Sequence, residues 1–287
     1  MTSDSATLED MKTALYHLIP RRLASKAMYH LARIETPWLK NIIIRGYMKI
    51  TGADTAFAAE KNPLAYANLN AFFTRALAPG IRPVDTDADS IASPVDGRCA
   101  IWQTLDAHTL LQAKHIRYSV DELLADTALA AHYANGETAT LYLAPDDYHR
   151  IHMPCDGTLL GMRFCPGDKH SVALGLLDKI PGIFAGNERA VVWFDTPFGL
   201  MTLVFVGALN VSSIETIWHG VLRSQADNRY DYRAAPRHFR KGEEIARFNL
   251  GSTVILLFPA RSIVWENSAL ADHRKIHMGQ KIASRHA

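Results

Sequence analysis

RAVVWFDTPFGLMTLVFVGALNV, residues 189–211, holds the strongest candidate in this chain for a membrane-spanning helix, Ala190 to Val211. A spanning helix needs roughly 18 uninterrupted, uncharged apolar residues. Asp195, Pro197 and Gly199 interrupt this one near its middle. It reads instead as two apolar strands and a turn, because Pro and Gly punctuate while Val, Phe and Trp suit a pleated surface. The same texture extends outward from it, starting at Arg82. IASPVDGRCAIW (91–102), TATLYLAP (138–145), GTLLGMRFCPGD (157–168) and EIARFNLGSTVILLFP (244–259) are short apolar runs separated by Gly, Pro and Asp. Such spacing indicates antiparallel β structure. Residues 221–241 are polar and aperiodic, and read as a loop.

Upstream of Arg82 the period changes. Residues 8–35 and 38–50 read as helices separated near Pro37, and 54–77 as a further helical stretch ending in NAFFTRAL. The expected fold is therefore α+β: an N-terminal amphipathic helical region, residues 1–78, then a predominantly antiparallel β-rich domain, residues 79–287. Between residues 11 and 50, Lys12, Arg21, Arg22, Lys26, Arg33, Lys40, Arg45 and Lys49 face Glu35 alone, with Leu15, Leu23, Trp38 and Ile42 to Ile44 interleaved. That pattern suits the face of an anionic bilayer, and equally a basic helix packed on its own domain.

The chain has 287 residues, 48% hydrophobic and 21% charged, enough for a sizeable core and too few charges for a disordered tail. A net charge of +2 is too even for binding nucleic acid by bulk charge. Cys99, Cys155 and Cys165 form neither a disulfide framework nor a Cys-x-x-Cys pair, so a reducing compartment is expected. The first residues carry Asp4, Glu9 and Asp10 without an apolar core, unlike a secretory signal or a transit peptide. There is no GxGxxG, Walker loop, HExxH or GxSxG elbow.

Three places can carry chemistry. Ser252, in Leu250-Gly251-Ser252-Thr253, stands where an apolar strand begins. Its hydroxyl can attack the preceding Gly251 carbonyl if a base takes its proton; the alternative is a Gly-Ser bulge at a strand entry. The stretch from Pro145 to Pro154 carries His149 and His152, three apart. Pro145-Asp146-Asp147 resembles a helix start, and a single helical turn would aim both imidazoles at one site. They suit proton transfer near neutral pH, or a structural pair; no third ligand of suitable spacing supports a metal. Asp96, in Pro94-Val95-Asp96-Gly97, is either a turn residue or the carboxylate that orients a histidine.

These blocks together resemble the prokaryotic-type phosphatidylserine decarboxylases, which use a pyruvoyl group made from their own serine. Leu250-Gly251-Ser252-Thr253 is similar to that family's self-cleavage motif, Tyr148-His149-Arg150-Ile151-His152-Met153-Pro154 to its histidine motif, and Pro94-Val95-Asp96-Gly97 to its aspartate motif. Phe72-Phe73-Thr74-Arg75, Arg82-Pro83, Asn187-Glu188-Arg189 and Val206-Gly207-Ala208 match in order, and the resemblance runs from about residue 40 to 280.

The resemblance implies a role for each residue. The Gly251–Ser252 bond is cut, leaving a β chain (1–251) and an α chain (252–287). His152 activates Ser252, and Asp96 orients His152. After the ester forms through Ser252, β-elimination, hydration and loss of ammonia leave a pyruvoyl at position 252. That ketone forms a Schiff base with phosphatidylserine and acts as the electron sink for loss of carbon dioxide, giving phosphatidylethanolamine. His149 is expected to supply the second proton. The expected partners are the lipid substrate, an anionic membrane surface, the two chains for each other and a second copy in a homodimer, with no nucleic acid and no metal. The expected location is peripheral, on the cytoplasmic face of the cell membrane. The competing expectations are a pyruvoyl enzyme acting on a soluble amino acid, a non-catalytic lipid-binding protein, and a serine hydrolase using Ser252, His152 and Asp96.

Overall fold

The computed structural model describes residues 21–113, 116–172, 174–208, 213–222, 226–249 and 252–286. The chain opens with helices α1 (Arg21–Leu31), α2 (Pro37–Thr51) and the short α3 (Leu69–Phe73). Strands β1 (Ser90–Ala92), β2 (Gly97–Thr104), β3 (Thr109–Ala113) and β4 (Ile116–Ser119) follow, then helices α4 (Val120–Leu124) and α5 (Thr127–Ala130). Next come β5 (Glu137–Leu143), β6 (Arg150–His152), β7 (Gly157–Cys165), α6 (Ile183–Gly186), β8 (Arg189–Thr196) and β9 (Gly199–Gly207). The remainder is β10 (Ser213–Thr216), β11 (Gly220–Leu222), β12 (Asn228–Asp231), β13 (Arg237–Phe239), β14 (Glu244–Asn249) and β15 (Ser252–Phe258). Last are β16 (Ile263–Trp265), α7 (Asn267–Leu270), β17 (Lys275–Ile276) and β18 (Lys281–Arg285).

Residues 189–207 fold as the sequence indicates. β8 and β9 pair antiparallel with Thr196 opposite Gly199, so Pro197 and Phe198 make the turn. They lie inside an antiparallel nine-stranded sheet of order β12-β7-β8-β9-β15-β5-β2-β17, with β13 also on β7. Val192, Phe194, Leu203, Phe205, Val254 and Leu256 face one core. Val191, Trp193, Val204, Val206, Ile255 and Leu257 face another. Successive side chains alternate between faces, and both faces are buried, so these strands read as continuous apolar runs. Each large side chain so buried stabilises the fold by about 1.5–3 kcal/mol.

The first core is closed by the four-stranded sheet β11-β10-β14-β6 and the three-stranded sheet β1-β18-β16. The second is closed by the β3–β4 hairpin and helices α4 to α6. A third, smaller cluster joins the N-terminal helices through Ala32, Ile44, Ala53, Leu69, Phe72 and Phe73. Among the described residues no helix is long and apolar enough to cross a membrane.

Three local expectations are corrected. Residues 54–77 are mostly irregular: α3 is their only α-helix, capped at its start by Asn68 and ending at Thr74. Pro63 and the polar residues Asp54 and Asn62, whose side chains bond nearby backbone N–H groups, compete with helix there. Residues 221–241 carry β12 and β13, both on β7 at the sheet edge. An edge strand buries little of itself, so it shows no clear period; β12 has no fully buried residue. In the first helix, the described part is α1, and residues 8–20 lie outside the described residues.

Gly97 opens β2 beside the site, and its role is close approach rather than a turn. A Cβ there would stand 2.4 Å from the Tyr142 carbonyl oxygen, in the neighbouring strand β5. Gly97→Ala is expected to cost about 1–3 kcal/mol, because paired backbones must separate. A chemical-denaturation midpoint equal to that of the wild type would contradict this.

Candidate active site

β14 belongs to the four-stranded sheet and β15 to the nine-stranded one, so the chain changes sheet between Asn249 and Ser252. Both ends of that passage are anchored. Asn249 donates to Ser213 Oγ at 2.9 Å and accepts from Asn70 Nδ2 of α3 at 2.9 Å. Ser252 is paired on both sides, with Leu143 of β5 and Gly207 of β9. Leu250 and Gly251 lie outside the described residues.

His149 and His152 do not share a helical turn. Arg150–His152 is strand β6, paired with β14: Arg150 opposite Arg247, Ile151 opposite Ala246 and His152 opposite Glu244. The stretch between Pro145 and Pro154 is too short to sustain an isolated helix, and pairing with a strand some 95 residues away prevails. Phe248 N–H donates to the His149 carbonyl, extending the ladder toward the change of sheet. His149 therefore lies near the Asn249 end of β14, and His152 lies three residues further away.

His149 is fully buried, with its ring 3.9 Å from that of Phe73 in α3. Its Nδ1 lies 2.9 Å from the Asp147 carbonyl oxygen. A carbonyl only accepts, so Nδ1 carries the proton and Nε2 presents a lone pair. Among the described residues that Nε2, which is buried, has no hydrogen-bond partner. Burial pulls the His149 pKa down to about 3, against the Asp147 carbonyl that supports the charged form. The Asp147 carboxylate is itself fixed, accepting from Ala144 N–H at 2.8 Å and lying 2.8 Å from Lys275 Nζ.

His152 is held at both nitrogens. Nδ1 is 2.8 Å from the Gly242 carbonyl oxygen, and Nε2 is 2.8 Å from the Tyr148 hydroxyl. Burial lowers its pKa, opposed by the Gly242 carbonyl and by the charges of Glu244 and Asp96.

Asp96 sits in the loop against β6, where the Pro94 carbonyl accepts from His152 N–H at 2.9 Å. Its buried carboxylate is taken by Arg82, at 3.0 Å from Nε and 2.6 Å from Nη2, and by Met278 N–H at 2.8 Å. Asp96 thus reaches His152 through its loop and its charge, not through a side-chain hydrogen bond. A cavity of about 230 Å³ opens beside it, lined by Arg75, Arg82, Asp96, Asp147, Tyr148 and Lys275. Tyr148 and Gly242 were not singled out from the sequence. Tyr148 sits inside the histidine block without a distinguishing signal, and the contact with Gly242 spans 90 residues.

The family model described as phosphatidylserine decarboxylase matches residues 69–284, and a second, described as PSD, matches residues 11–52. The chain belongs to the phosphatidylserine decarboxylase family. Among its relatives, the phosphatidylserine decarboxylase proenzyme of Azotobacter vinelandii is 44% identical over 272 residues, covering 93% of this chain and 95% of the relative. The proteins of the same description from Alkalilimnicola ehrlichii and Saccharophagus degradans are 42% and 39% identical. They cover 90% and 96% of this chain, and 92% and 97% of their own lengths. In this member of the decarboxylase family, the His149 carbonyl is bonded to Phe248, the neighbour of Asn249, while His152 is bonded to Tyr148 and to the loop that carries Asp96.

Proposed function

We propose that this chain converts phosphatidylserine to phosphatidylethanolamine, using a pyruvoyl group that it makes by cutting itself between Gly251 and Ser252. Family membership supports the reaction. The observation that carries the site is the buried Nε2 of His149, which has no hydrogen-bond partner among the described residues, on the segment whose carbonyl accepts from Phe248 of β14.

The residues present fit such a group. It would head β15, held in place by β5 and β9 on either side. Once formed, it supplies the electron sink that decarboxylation requires. The chain's own residues do the rest. In self-cleavage His152 takes the Ser252 proton, and the Asp96 charge favours the imidazolium that results. In decarboxylation His149 Nε2 takes the proton that the substrate ammonium must lose, then returns it to the carbon from which carbon dioxide departs. Neutrality of His149 at physiological pH, a consequence of its burial, leaves Nε2 free to start as the acceptor.

The cut fragments would stay together. Residues after 252 contribute β15 to the middle of the large sheet, β17 to its edge on β2, and β18 between β1 and β16.

The protein would work peripherally, on the cytoplasmic face of the cell membrane. Trp38 and Ile42 of α2 are 66% and 59% exposed, and with the exposed Arg45 and Lys49 they follow the i, i+4, i+7, i+11 spacing of one helical face. Apolar side chains in the interface beside cations suit anionic headgroups. Trp38→Glu/Ile42→Glu is expected to weaken sedimentation with phosphatidylserine vesicles at least roughly ten-fold, since each buried apolar side chain is worth more than 1 kcal/mol. Undiminished sedimentation would remove this face from the reading.

The function itself is tested with vesicles of phosphatidylserine labelled in the serine carboxyl. The expected result is labelled carbon dioxide and phosphatidylethanolamine in equal amounts, with free serine inert. Release from free amino acids alone would replace this function with a soluble-substrate one.

A further inference from the structure

We propose that Tyr148 is a positioning residue for the self-cleavage base, keeping the His152 imidazole neutral with Nε2 as its accepting nitrogen. The inference rests on His152 being that base.

Hydrogen-bond direction decides the arrangement. The Gly242 carbonyl can only accept, so His152 Nδ1 must carry the ring proton. That carbonyl is fixed in turn, because Gly242 N–H donates to the Met153 carbonyl at 2.8 Å. A neutral ring with its proton on Nδ1 has a lone pair at Nε2, so the Tyr148 hydroxyl at 2.8 Å must be the donor. Burial raises the phenol pKa, so this donor stays protonated throughout the range in which proteins work. The two rings lie 5.6 Å apart, tilted by 33°, and both side chains are buried.

A donor at Nε2 stabilises the uncharged imidazole, and only that form can take a proton from Ser252. The groups facing the pair from neighbouring elements are Arg150 on β6, Glu244 and Arg247 on β14, and Asp96 in the loop after β1. Arg150 and Glu244 pair with each other at 2.7 Å, and Asp96 is bound by Arg82. Among the described residues no carboxylate is bonded to the imidazole itself, and Tyr148 is the side chain hydrogen-bonded to it. The tyrosine must release Nε2 when Ser252 gives up its proton, so it tunes the base without touching the reacting bond.

The test uses the full chain as Ser252→Ala, which stays uncut, with isotopically labelled histidine. The His152 titration is followed by NMR and identified by its loss in Ser252→Ala/His152→Gln. Adding Tyr148→Phe keeps the ring and removes the donor. The sign follows: the neutral form loses a stabilising bond, so the His152 midpoint should rise, by about one pH unit for one hydrogen bond. The acid limb of self-cleavage in Tyr148→Phe made by cell-free synthesis should rise by the same amount, with less than roughly a ten-fold change in the plateau rate. Should Tyr148→Phe fail to fold, 3-fluorotyrosine at position 148 keeps the shape and strengthens the donor, and the midpoint should fall instead. Coincident midpoints overturn the inference, as does loss of the plateau without a shift of the limb. A His152→Gln chain that still cuts itself overturns the function given to His152 and this inference with it. Coincident midpoints beside an uncut His152→Gln overturn the role of Tyr148 alone.

Discussion

Ser252→Ala should remain one chain of 31.9 kDa, while the wild type separates in denaturant into residues 1–251 and 252–287. The smaller wild-type fragment should weigh less than simple hydrolysis predicts by one ammonia, because an amino group has become a ketone. The hydroxyl at position 252 is the atom on which everything depends. Without it no ester forms through Oγ, no elimination follows, and no electron sink exists for decarboxylation. The expected loss is therefore complete for both cleavage and carbon dioxide release. The fold should persist, since β15 is held by backbone pairing to β5 and β9, which alanine leaves in place. Intact mass spectrometry of the two proteins side by side decides the matter. A wild type that keeps its full mass while releasing carbon dioxide would exclude the self-made cofactor. A full-mass wild type labelled at Ser252 by a serine-directed phosphonate would instead point to hydrolase chemistry.

His149→Ala should behave in the opposite way at the two steps: cleaved like the wild type, but slower in decarboxylation by roughly 10²–10⁴-fold, the usual worth of a positioned acid–base group. The structural reason is the difference between the two histidines. His152 has both nitrogens engaged, by Gly242 and Tyr148, whereas the buried His149 Nε2 has no partner among the described residues. Leaving a buried polar atom without a partner costs about 1–3 kcal/mol, so a group that awaits a ligand is the simplest use for it. Removing the ring also opens space against Phe73, so His149→Gln, which refills much of it, is the companion variant. Both should show the fragment pattern of the wild type and react with hydroxylamine at the new ketone. A His149→Gln chain that stays whole would move His149 into self-cleavage; one that decarboxylates at the wild-type rate would remove it from the chemistry.

Much of the fold is legible in the order of residues. The run 189–211 declares two strands, because Asp195, Pro197 and Gly199 stop any helix and each half is apolar on both faces. Ser252 can be placed at the head of a strand because Val254 to Phe258 must be buried together. Residues 54–77 mislead, since apolar residues at helical spacing occur there among side chains that cap and turn the backbone. β12 and β13 are hidden because NRYD and RHF are short and mostly polar, leaving too few apolar side chains in each to reveal a period.

The site shows the same division. Which residue types are available, a serine after glycine, two histidines and an aspartate, is a property of local sequence, as is the resemblance that joins them. Where they meet is not. His149 and His152 look like one helical turn until β14 supplies the backbone partners that make them a strand. Asp96 looks like a partner for His152 until Arg82 and Met278 take its carboxylate. The Gly242 carbonyl that sets the His152 tautomer comes from 90 residues away. Local sequence determines propensity, period and chemical inventory, because these depend on a residue and its near neighbours. Tertiary structure alone decided which lone pairs are free and which are occupied, because hydrogen bonds are made with whatever the fold brings within reach.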